Sequence, residues 1–114
     1  MPKYVALTYT RDVDWTRPEY GEEMKDYAEF GQAAEAVIRG GHALYPTATA
    51  TTVRVTGGKG GEVITTDGPY AETKEALTGF YVLECGNLDE AVAIAATIPA
   101  ARDGAVEVRP VIEF

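Results

Sequence analysis

Thr65-Thr66-Asp67-Gly68-Pro69-Tyr70-Ala71-Glu72-Thr73-Lys74-Glu75, leading into Leu77-Thr78-Gly79-Phe80-Tyr81-Val82-Leu83-Glu84, is the stretch whose reading decides the fold. It opens with a turn, passes through a polar loop and ends in an apolar strand. Asp67 can bond backbone groups ahead of it, and Gly68 can adopt angles that other residues avoid. Pro69 lacks an N–H and drives Gly68 out of the helical region. Phe80-Tyr81-Val82-Leu83 is apolar on both faces, the pattern of a strand covered on both sides. A sharp bend before such a strand holds Asp67 and Tyr70 in defined places at a strand's edge. Glu72, Lys74 and Glu75 read as a local exposed charge cluster.

On the N-terminal side of the bend, Thr51-Thr52-Val53-Arg54-Val55 and Glu62-Val63-Ile64-Thr65 flank Gly57-Gly58-Lys59-Gly60-Gly61. Two β-rich runs around a glycine tip form a hairpin. The glycines feed a strand, whereas a phosphate-cradling loop feeds a helix N-terminus. Lys3 to Thr10 is a further strand, with Val5, Leu7 and Tyr9 on one face and Tyr4, Ala6 and Thr8 on the other. Neither of its faces is charged, so it lies inside a sheet. Arg11 to Arg17 is a polar loop whose large apolar residue is Trp15.

Thr16-Arg17-Pro18-Glu19 reads as a helix start, with Thr16 as cap, Pro18 in the first turn and Glu19 completing a capping box. Met24, Tyr27, Phe30 or Gly31, Ala34, Val37 and Ile38 recur at helical spacing, which predicts one buried stripe. Gly40-Gly41 stops this helix on the same reading. His42-Ala43-Leu44-Tyr45 is then a short strand ended by Pro46. Asn87, with Glu90 as its partner, caps a second helix that Pro99 breaks. Val106, Val108, Pro110 and Ile112 alternate with Glu107, Arg109, Val111 and Glu113 in a last strand. Pro110 puts that strand at an edge or at a bulge. Setting the hairpin aside leaves β-α-β-β-α-β, an α+β arrangement of the split βαβ kind.

The run Asp67 to Glu75 resembles the signature of the DGPF branch of the YCII-related family, with Tyr70 where that signature has Phe. Ala48 to Val55, Thr78 to Leu83 and Gly104 to Val111 agree with it, in order and across nearly the whole chain. The resemblance implies a ferredoxin-like βαββαβ fold with an inserted hairpin over residues 1–114, two copies pairing as a dimeric α/β barrel. Many members carry a histidine early in the first helix and an aspartate late in the second as a proposed catalytic pair. This chain has Asp26 and Tyr27 in the first region and Ala95, Ala96 and Thr97 in the second. Family members are often encoded beside alternative sigma factors, which implies a second class of role, a non-catalytic interaction protein of sigma-factor-linked transcription regulation.

Composition narrows the field. A chain of 114 residues with 46% hydrophobic residues can bury a core of its own. The formal net charge is −8, with ten scattered Lys and Arg. That excludes the clustered basic surface that direct nucleic-acid binding or an anionic membrane requires. No apolar run reaches the ~20 residues of a membrane span. With one cysteine, Cys85, there is no internal disulfide, and a cytoplasmic location is expected. Two helices cover one face of a four-stranded sheet. The apolar second face therefore calls for a partner, and another copy of the chain is the simplest one.

Asp67 and His42 are the candidate catalytic residues. His42 is the only histidine, the residue type whose unperturbed pKa lies near neutrality. A carboxylate at position 67 packed against apolar strands would have a raised pKa and could act as a base. Tyr9, Tyr70 and Tyr81 are candidate hydrogen-bond donors to a small ligand, and Arg54 and Arg109 are candidate holders of an acidic group. No cofactor is called for, and one His with one Cys does not make a zinc site. There is no serine, so no Ser-His-Asp arrangement exists. The expectation is a homodimer that binds or transforms a small molecule in an inter-sheet cavity near Asp67.

Overall fold

A computed structural model describes residues 1–114. Strand β1 (Lys3–Thr10) leads through a loop and a single 3-10 turn into helix α1 (Gly21–Ala33). Strand β2 (Ile38–Ala43), the hairpin β3 (Thr51–Thr56) and β4 (Glu62–Asp67), and strand β5 (Ala76–Glu84) follow. Helix α2 (Leu88–Ala95), the short helix α3 (Ala100–Asp103) and strand β6 (Ala105–Pro110) close the chain. The main sheet has the order β2-β5-β1-β6 with every neighbouring pair antiparallel. This is a ferredoxin-like α+β arrangement, and β3-β4 form a separate two-stranded ribbon inserted between β2 and β5. Pro110 falls on edge strand β6, where its missing N–H breaks no ladder.

The helices lie on one face of the sheet. Tyr4, Ala6, Thr8 and Thr10 of β1 are buried there, alternating with half-buried Lys3, Val5, Leu7 and Tyr9. Tyr4 and Ala6 join Leu83, Cys85, Phe30, Ala91, Ala95, Ile98 and Ala100 in the core. Of that set, Ala91, Ala95 and Ala100 let α2 and α3 approach the sheet closely. On the opposite face, register places Val5 beside Val82 and Leu7 beside Phe80, with nothing of the chain over them.

The first helix departs from the sequence reading at both ends. Thr16 does not cap it. Its N–H and hydroxyl both donate to Asp14 Oδ1, at 2.9 and 2.6 Å, and these bonds hold the Asp14 carboxyl below its ordinary range. The α-helix begins at Gly21 and ends at Ala33, and a turn runs from Ala34 to Val37. Gly40-Gly41 do not stop a helix; they lie inside β2, which starts at Ile38 rather than His42. Gly41 has φ 151°, and a side chain there would run into the Phe80 carbonyl oxygen. A glycine pair serves either purpose locally, and only the pairing with β5 selects the strand.

The second helix starts as expected but ends at Ala95, before Ile98, and Pro99 precedes α3 rather than breaking α2. Asn87 Oδ1 accepts from the Glu90 N–H at 2.9 Å, while Glu90 Oε2 accepts from the Gly86 N–H at 2.9 Å, one residue before the usual partner of a capping box.

Candidate functional site

A hollow of about 230 Å³ lies between α1 and the middle of the sheet. Its origin is in small residues. Gly41 and Gly79 leave the sheet surface bare, and Gly79 is held there because a Cβ would meet the His42 carbonyl oxygen at 2.8 Å. Met24 and Tyr27, three apart on α1, form one wall. Tyr81 forms another, braced edge-on by Phe30 with ring centroids 5.0 Å apart. Trp15 stands over the loop side, where it meets Tyr20 at 5.0 Å and Arg11 lies over both rings at 5.4 Å.

The polar groups of the hollow are hydroxyls. A bulge between Thr8 and Tyr9 brings Thr78 into reach of its cross-strand neighbours. Thr78 Oγ1 lies 3.1 Å from Thr8 Oγ1 and 2.9 Å from Thr10 Oγ1. Burial pushes the Tyr27 phenol up from its ordinary 10.0 to about 12, with Tyr81 and Asp103 adding to the rise. Burial also raises Tyr81. Both phenols are therefore neutral donors at physiological pH. The site offers apolar walls and a few oriented hydroxyls, which is the composition of a small-molecule site.

A larger cleft of about 550 Å³ lies at the hairpin base. Tyr9 and Leu77, paired on the uncovered sheet face, form one side of it; Leu44 and Tyr45 form another, and Pro69 and Ala71 close it. Asp12 ties this region to β1, accepting from the Thr47 N–H at 2.8 Å and from the Thr47 hydroxyl.

The sequence-predicted residues fall in separate places. Tyr81 and His42 border the α1 hollow, but register pairs His42 with Phe80, so its ring turns to the uncovered face and stands edge-on to Phe80 at 5.9 Å. Tyr9 belongs to the cleft. Arg109 is on edge strand β6 beside Glu107 at 3.7 Å. Asp67 ends β4 and is exposed, so the chain alone does not desolvate its carboxylate. The bend after it forms at Gly68 as read, but the Asp67 side chain makes no hydrogen bond that holds it. Gly68 has φ 100°, its N–H donates to the Ala50 carbonyl at 2.8 Å, and its own carbonyl accepts from the Thr52 hydroxyl. Tyr70 is 75% exposed, and Arg54 lies over its ring at 5.0 Å.

Sequence reasoning missed Thr8, Thr78, Met24, Trp15 and Tyr27 as site residues. Tyr27 stood out only as part of a helical stripe. The threonine cluster joins residues about seventy positions apart and leaves no local pattern.

A small α+β sheet with helices on one face and a hydroxyl-lined hollow beneath α1 defines the class. Comparison then places the chain within it. The family profile of the YCII-related domain matches residues 3–114. An uncharacterized protein of Rhizobium meliloti (strain 1021) is 38% identical over 119 aligned positions, covering 94% of this chain and 90% of that protein. The chain belongs to the YCII-related family. No helix is long and apolar enough to cross a membrane.

Proposed function

We propose that the protein is a cytoplasmic homodimer that binds a small, mainly apolar molecule bearing a hydrogen-bond acceptor. The observation that carries this reading is the hollow floored by Gly41 and Gly79 and lined by the Thr8, Thr78, Tyr27 and Tyr81 side chains. Protonated phenols in an apolar setting suit an acceptor such as a carbonyl oxygen. In this reading His42, beside Phe80 on the uncovered sheet face, is the group available for proton transfer in the space between subunits. Asp67, Tyr9, Tyr70, Arg54 and Arg109 serve the space between subunits, where a second copy would desolvate the Asp67 carboxylate.

The dimer is supported by surface area. The chain exposes 7856 Å², against about 6,100 Å² for a compact monomer of its mass. The surplus is about twice the roughly 800 Å² that a standard interface buries on each partner. Charge supports it as well. Lys3, Arg39 and Arg109 balance Glu84 and Glu107 on the uncovered sheet face, whereas Glu22, Glu23, Asp26 and Glu29 lie on α1. The net charge of −8 thus repels little across that face. Light scattering is expected to return a dimer at micromolar concentration. Val82→Glu, which puts a charge in the middle of the face, is expected to return a folded monomer.

A thermal-shift screen of metabolites tests the binding itself. A hit is expected whose affinity falls about 3- to 10-fold in Tyr27→Phe, the worth of one hydrogen bond. No hit across a broad panel overturns the binding reading. It would favour the alternative, an interaction protein in sigma-factor-linked regulation, for which the exposed apolar residues of the hairpin speak.

A further inference from the structure

The ribbon β3-β4 stands apart from the sheet, and one of its faces is apolar and bare. Register puts Val55 opposite Val63, with Val53 two residues along on the same side. These side chains are 60% (Val53), 52% (Val55) and 63% (Val63) exposed. None of them joins the core or its margin. The ribbon's six-residue strands span roughly 20 Å. The radius of gyration is 16.2 Å, where a compact chain of this length has about 13 Å. The molecule measures 46 × 41 × 20 Å, thin in one direction and long in the others. A three-valine face costs stability in water unless something covers it.

The cleft at the hairpin base is the complementary feature. It is apolar, it is open, and Tyr9 and Leu77 make it continuous with the uncovered sheet face. The chain's own ribbon cannot fill it, because Pro69 and Ala71 at the ribbon's root already form its rim. A second copy can, and a two-fold axis makes the exchange reciprocal.

We infer that β3-β4 is an exchange arm: in the dimer, its Val53–Val55–Val63 face seats in the cleft of Tyr9, Leu44, Tyr45 and Leu77 on the other subunit. The cleft is then incomplete in one chain and closed by the partner's arm. This rests on the dimer reading above, and the surplus surface of a single chain is large enough to supply both the sheet contact and the arm contact.

Two measurements test it. The first is the dimer dissociation constant by sedimentation for the wild type and for Val53→Thr/Val55→Thr/Val63→Thr. Threonine keeps the β-branched shape, so the ribbon persists while the apolar face is lost. A rise on the order of 100-fold is expected from three buried methyl-to-hydroxyl exchanges. The second is oxidation of Leu44→Cys/Val55→Cys, read on a non-reducing gel. Native Cys85 is fully buried and does not compete. A covalent dimer is expected. A wild-type dimer whose constant is unchanged by the threonine variant, together with no covalent dimer, overturns the arm and leaves the sheet-to-sheet dimer standing. A wild-type monomer at micromolar concentration overturns both.

Discussion

At the scale of single residues, backbone geometry and burial make the sharpest demands. Gly41 sits at φ 151° with the Phe80 carbonyl where a Cβ would go. Gly41→Ala is expected to lower stability by about 2 kcal/mol or more, measured by urea unfolding, because strained φ and steric displacement add. Tyr27 carries a pH signature. Burial favours its neutral form, so its folded pKa of about 12 lies above the unfolded value. Its contribution is complete below pH 10 and is lost as pH rises towards 12. Unfolding free energy should therefore fall across that interval, and fall less in Tyr27→Phe; equal slopes for the two proteins would contradict the burial. Gly68 was legible as a special position from Asp-Gly-Pro alone, since the chemistry of turns is local. Gly41 was not, because its constraint comes from a strand about forty residues away.

At the scale of elements, capping and pairing account for what was and was not readable. The α2 start was legible because Asn87 and Glu90 act within one helical turn. Asn87→Ala is expected to cost about 1 kcal/mol, seen as a lower melting temperature. The α1 start was misread because Asp14, two residues upstream, takes both Thr16 bonds. The stripe Met24, Tyr27, Phe30 and Ala34 was correctly assigned to the buried side, but its continuation into Val37 and Ile38 was not helix. Val37 instead offers its carbonyl to the Glu84 N–H at 2.8 Å, so pairing with β5 ends the helical path. The hairpin was legible throughout, since alternation and a glycine tip are short-range signals.

At the scale of the whole molecule, the governing fact is shape. Only 14 of 114 residues are buried, one sheet face leaves Val5, Leu7, Phe80 and Val82 half-buried, and one ribbon face is apolar and exposed. A second copy that covered both would make stability depend on concentration. The melting temperature is accordingly expected to rise with protein concentration, by several degrees over a hundredfold range for an interface of ordinary size. A melting temperature independent of concentration, with unchanged mass by light scattering, would contradict the assembly.

The sequence by itself determined the order of strands and helices, the inserted hairpin, the bend at Asp67-Gly68-Pro69 and membership of the YCII-related family. Each of these is written in periodicity, turn chemistry or contiguous motif. Only the tertiary structure decided which side chains share a site. The α1 hollow draws Thr8, Tyr27, Thr78 and Tyr81 from three elements, and the candidates Asp67 and His42 lie apart in one chain. The physical reason is that element type follows from interactions a few residues long. A site is made by sheet register and by the absence of side chains at Gly41 and Gly79, and both depend on contacts between distant parts of the chain.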